Sequence, residues 1–185
     1  MIPFVFFLEE ASAKAMLEGV LPRLLPNVTA RYVVFEGKQD LERQLVRKMR
    51  LWQEDAHFIV MRDQDSGDCY QIKDRLLNLS REAGRLNALV RIACKELESF
   101  YLGDLNAVEQ GLGLTGLARR QQVAKFRNPD SLNNAAEELK KITNKTYQKV
   151  SGSRAISPFL VLDDRHCSTS FKALINGLRH LVNNA

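Results

Sequence analysis

The chain has 185 residues, 45% of them hydrophobic, which is enough to bury the core of one domain. Its three cysteines, Cys69, Cys94 and Cys167, form no CxxC pair. This argues against a disulfide framework and against a zinc knuckle, and favours a reducing compartment. No stretch is apolar over a membrane-spanning length, and the N-terminal MIPFVFFLEE is too short for a signal peptide. We therefore expect a cytoplasmic protein without membrane contact.

The net charge of +5 is distributed unevenly along the chain. Residues 1–116 carry 15 basic and 17 acidic side chains, whereas residues 117–185 carry 12 basic and 5 acidic ones. Such a division suits a protein that holds a metal ion with its acidic part and a polyanion with its basic part. A solvated basic surface explains it equally well. If nucleic acid binds, the expected contacts are Arg119, Arg120, Lys125, Arg127 and Arg154.

Four short apolar segments are expected to form buried strands, because they are rich in β-branched and aromatic residues with almost no polar interruption. They cover residues 2–8, 30–35, 57–61 and 88–93. Helical patterns separate them: Leu41, Leu45 and Met49 mark one helix, and another ends near Gly84. In the first helix, Pro22 is expected to introduce a kink or an early end. This alternation predicts an α/β fold with a Rossmann-like, mostly parallel sheet.

The chain is interpreted as a single domain over residues 1–185. Residues 1–104 form its α/β core, and residues 105–185 form a basic, mainly helical elaboration. In the elaboration, residues 151–153 (SGS) predict a turn before a short helix, and Ser168 predicts the N-cap of the last helix. No GxGxxG and no GxxxxGK[ST] follows any strand, so neither a dinucleotide site nor a nucleotide P-loop is indicated.

Acidic residues follow each predicted strand within a few positions. They are Glu9 and Glu10, Glu36, Asp63 and Asp65, and Glu96 and Glu98. The carboxyl ends of parallel strands border the ligand crevice of open α/β sheets, so these side chains are expected to converge there. Several carboxylates in one crevice repel one another unless a cation offsets them, and hard oxygen ligands suit Mg²⁺ or Mn²⁺.

The segment RDQDSGDC is the sharpest of these features. Asp63 and Asp65 are the expected metal ligands, and Asp68 is either a further ligand or the N-cap of the following helix. Of the two glutamates after the fourth strand, Glu96 is nearer the strand and is the expected contributor. Lys149 is a candidate for neutralising charge on a phosphate, although it also fits an ordinary loop lysine.

These residues resemble the TOPRIM domain of topoisomerases, primases and OLD-family nucleases, in which a glutamate closes the first strand and DxD closes the third. More specifically, five segments resemble a bacterial family called domain of unknown function 4276. They are EEASAKAMLEGVLPRLLP, RDQDSGDC, RIACKELESFYLGD, YQKVSGSRAI and STSF. The TOPRIM resemblance implies that Glu9 is a general base or metal ligand and that Asp63 and Asp65 hold Mg²⁺ or Mn²⁺.

The sequence departs from the TOPRIM nuclease pattern EGxxE at the first strand. Ala13 occupies the position of the second glutamate, and Glu10 occupies that of the glycine. A ligand or base is therefore missing, or is replaced by Glu10 or Glu96.

The leading interpretation is a metal-dependent nuclease, with DNA favoured over RNA as substrate. A non-catalytic nucleic-acid-binding or regulatory subunit is the first alternative, and a receiver-like phosphotransfer domain is the second. From the family resemblance we also expect a partner ATPase of AAA or ABC type encoded nearby and a role in phage defence. A homo-oligomer is a further option.

Overall fold

The computed structural model describes residues 2–183, and its centre is a four-stranded sheet. All three strand pairings are parallel, and the strands lie in the order β2-β1-β3-β4. The strands are β1 Phe4–Leu8, β2 Ala30–Val34, β3 His57–Asp63 and β4 Leu89–Ala93. The predicted α/β, Rossmann-like sheet is thus confirmed. The third strand is longer than predicted, because it continues through Arg62 to Asp63.

The strand register aligns the carboxyl ends of the sheet. Leu8 is paired with Val34 on one side and with Met61 on the other, and Asp63 is paired with Ala93. Asp63 therefore still belongs to β3, where the ladder fixes its backbone. Glu9 follows β1 at once on the neighbouring strand.

β1 is buried throughout, as its unbroken apolar sequence requires. Because side chains alternate between the faces of a strand, Phe4, Phe6 and Leu8 contribute to one core and Val5 and Phe7 to the other. The first core also contains the apolar side chains of the C-terminal helices, so the C-terminal part of the chain packs against one face of the sheet.

Helices join and cover the strands. Within residues 2–183 they are α1 Ala11–Leu24, α2 Lys38–Arg50, α3 Cys69–Glu82, α4 Glu98–Leu102, α5 Leu105–Leu112, α6 Ala124–Arg127, α7 Ala135–Ile142, α8 Lys149–Ile156 and α9 Thr169–Asn183, with short 3₁₀ helices at Ala118–Gln122, Pro129–Ser131 and Ser157–Phe159. Pro22 lies inside α1, two residues before its end, so it does not terminate the helix where it occurs. The N-cap predicted for α9 is confirmed, since the N–H of Phe171 donates to Ser168 Oγ at 3.1 Å.

The turn predicted at residues 151–153 is wrong, because these residues lie inside α8. Gly152 is needed there for packing: a side chain at this position would collide with the ring of Tyr147. Serine and glycine suggested a turn, but the close approach of helix and ring accounts for the glycine. α8 begins at Lys149, two residues before the segment that was predicted to be a turn.

The order of the strands also locates the crevice of the sheet. From β1 the chain passes to β2 on one side, and it then crosses to β3 on the other side of β1. The point where the strand order reverses is therefore between the carboxyl ends of β1 and β3, where open α/β sheets bind their ligands. Glu9 and Asp63 lie at those two strand ends.

Candidate functional site

Hydrogen bonds connect the ends of β1, β3 and β4. The backbone N–H of Asp63 donates to Glu9 Oε2 at 2.9 Å, and Asp63 Oδ2 accepts from the backbone N–H of Leu97 at 3.1 Å. Glu9 and Asp63 are each held by backbone of the neighbouring segment, so their positions follow from the strand register. The convergence expected from the sequence thus occurs for these two acids.

Glu9 is poorly hydrated, and its side chain is 14% exposed. Burial raises the pKa of its carboxyl group, and the negative charges of Asp65 and Glu10 raise it further. The N–H of Asp63 and the guanidinium of Arg62 act in the opposite direction, with Arg62 Nε 3.9 Å from Glu9 Oε2. The pKa of Glu9 is raised on balance, which favours a role in accepting or donating a proton.

Asp63 is surrounded by protein and lies near three other acidic side chains. Burial raises its pKa well above the ordinary value, and the charges of Glu10, Glu9 and Glu98 add to that effect, while the N–H of Leu97 opposes it. These four carboxylates are hereafter called the acid cluster. Their mutual repulsion is the electrostatic cost that a bound cation would relieve.

Glu98 is the member of the cluster that the sequence argument did not select. Its side chain is fully buried, Oε1 accepts from the hydroxyl of Tyr147 at 3.0 Å, and Oε2 has no hydrogen-bond partner among residues 2–183. Burial raises the pKa of Glu98, whereas Lys149 and the Tyr147 hydroxyl lower it. A buried carboxylate oxygen without a partner is costly, and it is free to serve as a ligand.

Glu96, the glutamate expected to contribute to the site, contacts α7 instead of the acid cluster. Glu96 Oε2 accepts from the backbone N–H of Ala136 at 2.8 Å, in the first turn of α7. Glu98 begins α4, and its neighbours in that helix are buried as well. The sequence signal for this difference was weak, because Glu98 lies between Leu97 and Ser99, only two residues after Glu96.

The hydrogen bond between Tyr147 and Glu98 can be tested by Tyr147→Phe. The substitution leaves both oxygens of a buried carboxylate without a donor, so we expect the free energy of unfolding at pH 8 to fall by about 1–3 kcal/mol. The loss should be smaller at pH 5, where Glu98 is more fully protonated because its pKa is raised. Urea denaturation at the two pH values measures this difference, and an equal loss at both would contradict it.

Lys149 supplies positive charge at the edge of the cluster. Its Nζ lies 3.0 Å from Glu10 Oε2. Burial lowers the pKa of Lys149, but the charges of Glu98, Glu10 and Asp63 outweigh this effect, and the pKa is raised. Lys149 therefore remains protonated beside the carboxylates. A residue that neutralises charge on a phosphate needs this positive charge.

The side chain of Asp65 has a different partner from that of Asp63. The backbone of Asp65 adopts a left-handed conformation, with φ of 53°, and its Oδ2 accepts from Lys38 Nζ at 2.7 Å. It still lies close enough to raise the pKa of Glu9. The two aspartates of the DxD segment therefore have different partners in this structure.

Asp68 is the N-cap of α3, since its Oδ1 accepts from the backbone N–H of Gln71 at 2.9 Å. Replacement of a capping aspartate by alanine costs about 1 kcal/mol. We expect Asp68→Ala to lower the free energy of unfolding by that amount, with no change in the stabilisation that Mg²⁺ or Mn²⁺ produces. Thermal melts with and without metal check this, and loss of the metal response would make Asp68 a ligand.

The donor chemistry of the acid cluster fits a hard divalent cation, because all its groups are carboxylates and one buried oxygen has no partner. No three acidic, histidine or cysteine side chains within residues 2–183 are arranged as a ready-made metal site. Three of the strand-end carboxylates are instead bound by groups of the protein itself. Lys38 binds Asp65, Lys149 binds Glu10, and the N–H of Asp63 donates to Glu9.

The five basic residues expected to contact nucleic acid are divided between two regions. Arg119 and Arg120 lie on the 3₁₀ helix Ala118–Gln122, and Lys125 and Arg127 lie on α6, where Lys125 forms an ion pair with Glu138. Arg120 and Lys125 lie 5.8 Å and 5.0 Å from the centre of the Phe126 ring. Arg154 is exposed on α8, five residues after Lys149, which directs it about 140° away around the helix axis.

Comparisons with known proteins identify one family. The family model described as domain of unknown function (DUF4276) matches residues 8–179. No curated protein and no solved structure matches the chain. No helix within residues 2–183 is both long enough and apolar enough to cross a membrane.

Proposed function

The chain belongs to the DUF4276 family, and on that premise we propose that it is a metal-dependent phosphodiesterase acting on nucleic acid, with DNA favoured over RNA. The observation that carries the proposal is the acid cluster of Glu9, Glu10, Asp63 and Glu98 at the reversal of strand order. The TOPRIM resemblance of the strand-end acids supports the same chemistry.

The carboxylates are the proposed metal ligands. Asp63 and the free oxygen of Glu98 would hold Mg²⁺ or Mn²⁺, and Asp65 would join them by exchanging Lys38 for the cation. When bound, the cation would offset the negative charge of the cluster and polarise a phosphodiester oxygen. Glu10 is a further ligand if it releases Lys149.

Glu9 is the proposed general base. Its raised pKa suits a group that takes up a proton, and the N–H of Asp63 together with Arg62 fixes its orientation. Lys149 would stabilise negative charge that develops on the phosphate, because it stays protonated beside the cluster. Ala13, at the position of the second TOPRIM glutamate, is buried in the core beneath the sheet, so Glu10 or Glu98 would have to supply that charge.

Incubation of the purified protein with plasmid DNA and with RNA, in Mg²⁺, in Mn²⁺ and in EDTA, tests the proposal. Metal-dependent cleavage that Asp63→Asn abolishes would support it. Cleavage at full rate in EDTA would contradict it, as would cleavage unaffected by Asp63→Asn.

A second candidate function is a non-catalytic nucleic-acid-binding or regulatory subunit. It is favoured by the lack, within residues 2–183, of three groups arranged to hold a metal, and by Ala13. This protein would bind nucleic acid with strong salt dependence but would not cleave it, either alone or with the ATPase partner that we propose from the family resemblance. Co-expression with a neighbouring ATPase gene and pull-down tests that partnership.

A further inference from the structure

α7 ends in a group of lysines that the sequence argument did not single out. Lys140 and Lys141 occupy its last turn, and the chain then reverses through Asn144 and Lys145, both in the left-handed conformation. The N–H of Lys145 donates to the carbonyl of Lys140 at 2.7 Å, so the reversal holds the third lysine against the helix end. Together these lysines line an open groove of about 680 Å³, hereafter called the lysine groove.

The charge of the lysine groove is positive, because three lysines line it together with one acidic side chain. Lys140, Lys141 and Lys145 are exposed, and none of them forms a salt bridge with a described residue. The one acidic side chain lining the groove is Glu137, among the described residues. By contrast, Lys125 of α6 is paired with Glu138, which lies on α7 like Lys140 and Lys141.

Tyr147 and the residues that follow it lie between the lysine groove and the acid cluster. Tyr147 lines the groove, and its hydroxyl donates to Glu98 at 3.0 Å. Gln148 also lines the groove, and the next residue is Lys149, which is paired with Glu10. The groove is therefore connected to two members of the acid cluster, to Glu98 through Tyr147 and to Glu10 through the residue that follows Gln148.

We propose that the lysine groove binds the sugar-phosphate backbone of the nucleic acid that the acid cluster cleaves. This inference rests on the proposed function, since the cluster itself repels phosphates and a polyanionic substrate needs cations beside it. Lysines bind phosphate as point charges and carry no base-reading geometry, and the ring of Tyr147 is buried and not available for stacking. The groove accordingly binds the nucleic-acid backbone independently of the base sequence.

The lysines at the end of α7 also interact favourably with the helix dipole, which is a purely structural role. That role predicts a loss of stability when they are replaced, but no loss of nucleic-acid binding. Measuring both stability and nucleic-acid binding distinguishes the two roles.

The test replaces all three lysines by glutamine (Lys140→Gln, Lys141→Gln, Lys145→Gln). The matched control, Arg47→Gln with Lys73→Gln and Arg81→Gln, removes the same charge from exposed residues of α2 and α3. Binding of a fluorescently labelled 30-nucleotide single-stranded DNA, of RNA and of poly-glutamate is followed by anisotropy in EDTA, over a range of salt concentrations, with a thermal melt of each protein.

We expect the lysine variant to bind DNA at least tenfold more weakly than the control at moderate salt, with unrelated sequences equally affected. The slope of log K against log salt should fall by up to about 2, since each lost phosphate contact on a single strand contributes roughly 0.7. Binding equal to that of the control would overturn the inference, as would loss of poly-glutamate binding with nucleic-acid binding intact, which would assign the groove to an acidic protein. A variant that melts well below the control is replaced by the three single substitutions, whose partial losses should add.

Failure of this inference and failure of the proposed function are distinguishable. Wild-type protein that binds through the groove but never cleaves would refute the phosphodiesterase and leave the groove assigned. Metal-dependent cleavage whose KM the lysine variant leaves unchanged would refute the groove and leave the phosphodiesterase.

Discussion

Asp63→Asn is expected to raise the thermal midpoint of the metal-free protein at pH 8 by roughly 2–4 °C, which corresponds to about 1 kcal/mol for a chain of this size. The reason is electrostatic: the carboxyl of Asp63 is desolvated and surrounded by the charges of Glu10, Glu9 and Glu98, so removing its charge relieves repulsion. The amide oxygen can still accept from the N–H of Leu97. Differential scanning calorimetry in EDTA measures the change.

The effect should depend on pH with a definite sign. The folded-state pKa of Asp63 is raised, so the unfolded chain releases its proton first as the pH rises, and the wild-type protein loses stability above the ordinary aspartate range. The gain from Asp63→Asn should therefore be larger at pH 8 than at pH 5. Asp74→Asn, at an exposed position of α3, is the control and should show no such gain. A variant that is less stable than wild type at pH 8 would mean that Asp63 acts mainly as a hydrogen-bond acceptor.

Glu9→Gln is expected to lower the rate of metal-dependent cleavage by about 100-fold or more, because a general base contributes roughly 10²–10⁴-fold. The glutamine oxygen can accept from the N–H of Asp63 as Glu9 Oε2 does, so the sheet edge should keep its structure. Single-turnover kinetics on a labelled DNA duplex separate the chemical step from binding and product release.

Glu36→Gln is the matched control for this experiment. Glu36 also follows a strand, but it is exposed on the far side of β1 from β3. Its replacement should leave the rate within about twofold of wild type, in the usual range of surface substitutions. Equal losses in the two variants, or a fully active Glu9→Gln, would remove Glu9 from the mechanism.

The part of the site that depends on strand ends could be predicted from the sequence. Buried parallel strands have nearly continuous apolar sequences, so their ends are visible, and parallel ends meet at one edge of a sheet. Glu9 and Asp63 were located in this way. Asp65 was not, because a single left-handed residue turned its side chain to Lys38.

The remaining features depend on packing between distant segments. Glu98 was passed over for Glu96 because nothing in the local pattern shows that Ala136 would take one of them and Tyr147 the other. The lysine groove depends on a chain reversal after α7 in which Lys145 follows Asn144 into the left-handed conformation, and this conformation is uncommon for lysine. Gly152 was similarly misinterpreted, because its partner Tyr147 lies outside the pattern around it.

Isothermal titration with Mn²⁺ at pH 7, in two buffers of different ionisation enthalpy, tests the central claim most directly. We expect one binding event that releases protons, because carboxyl groups with raised pKa must ionise to become ligands. We further expect that binding is lost in Asp63→Asn and retained in Asp74→Asn. Mn²⁺ binding of equal affinity in the wild type and in Asp63→Asn would contradict the account, and so would the absence of any binding to the wild-type protein.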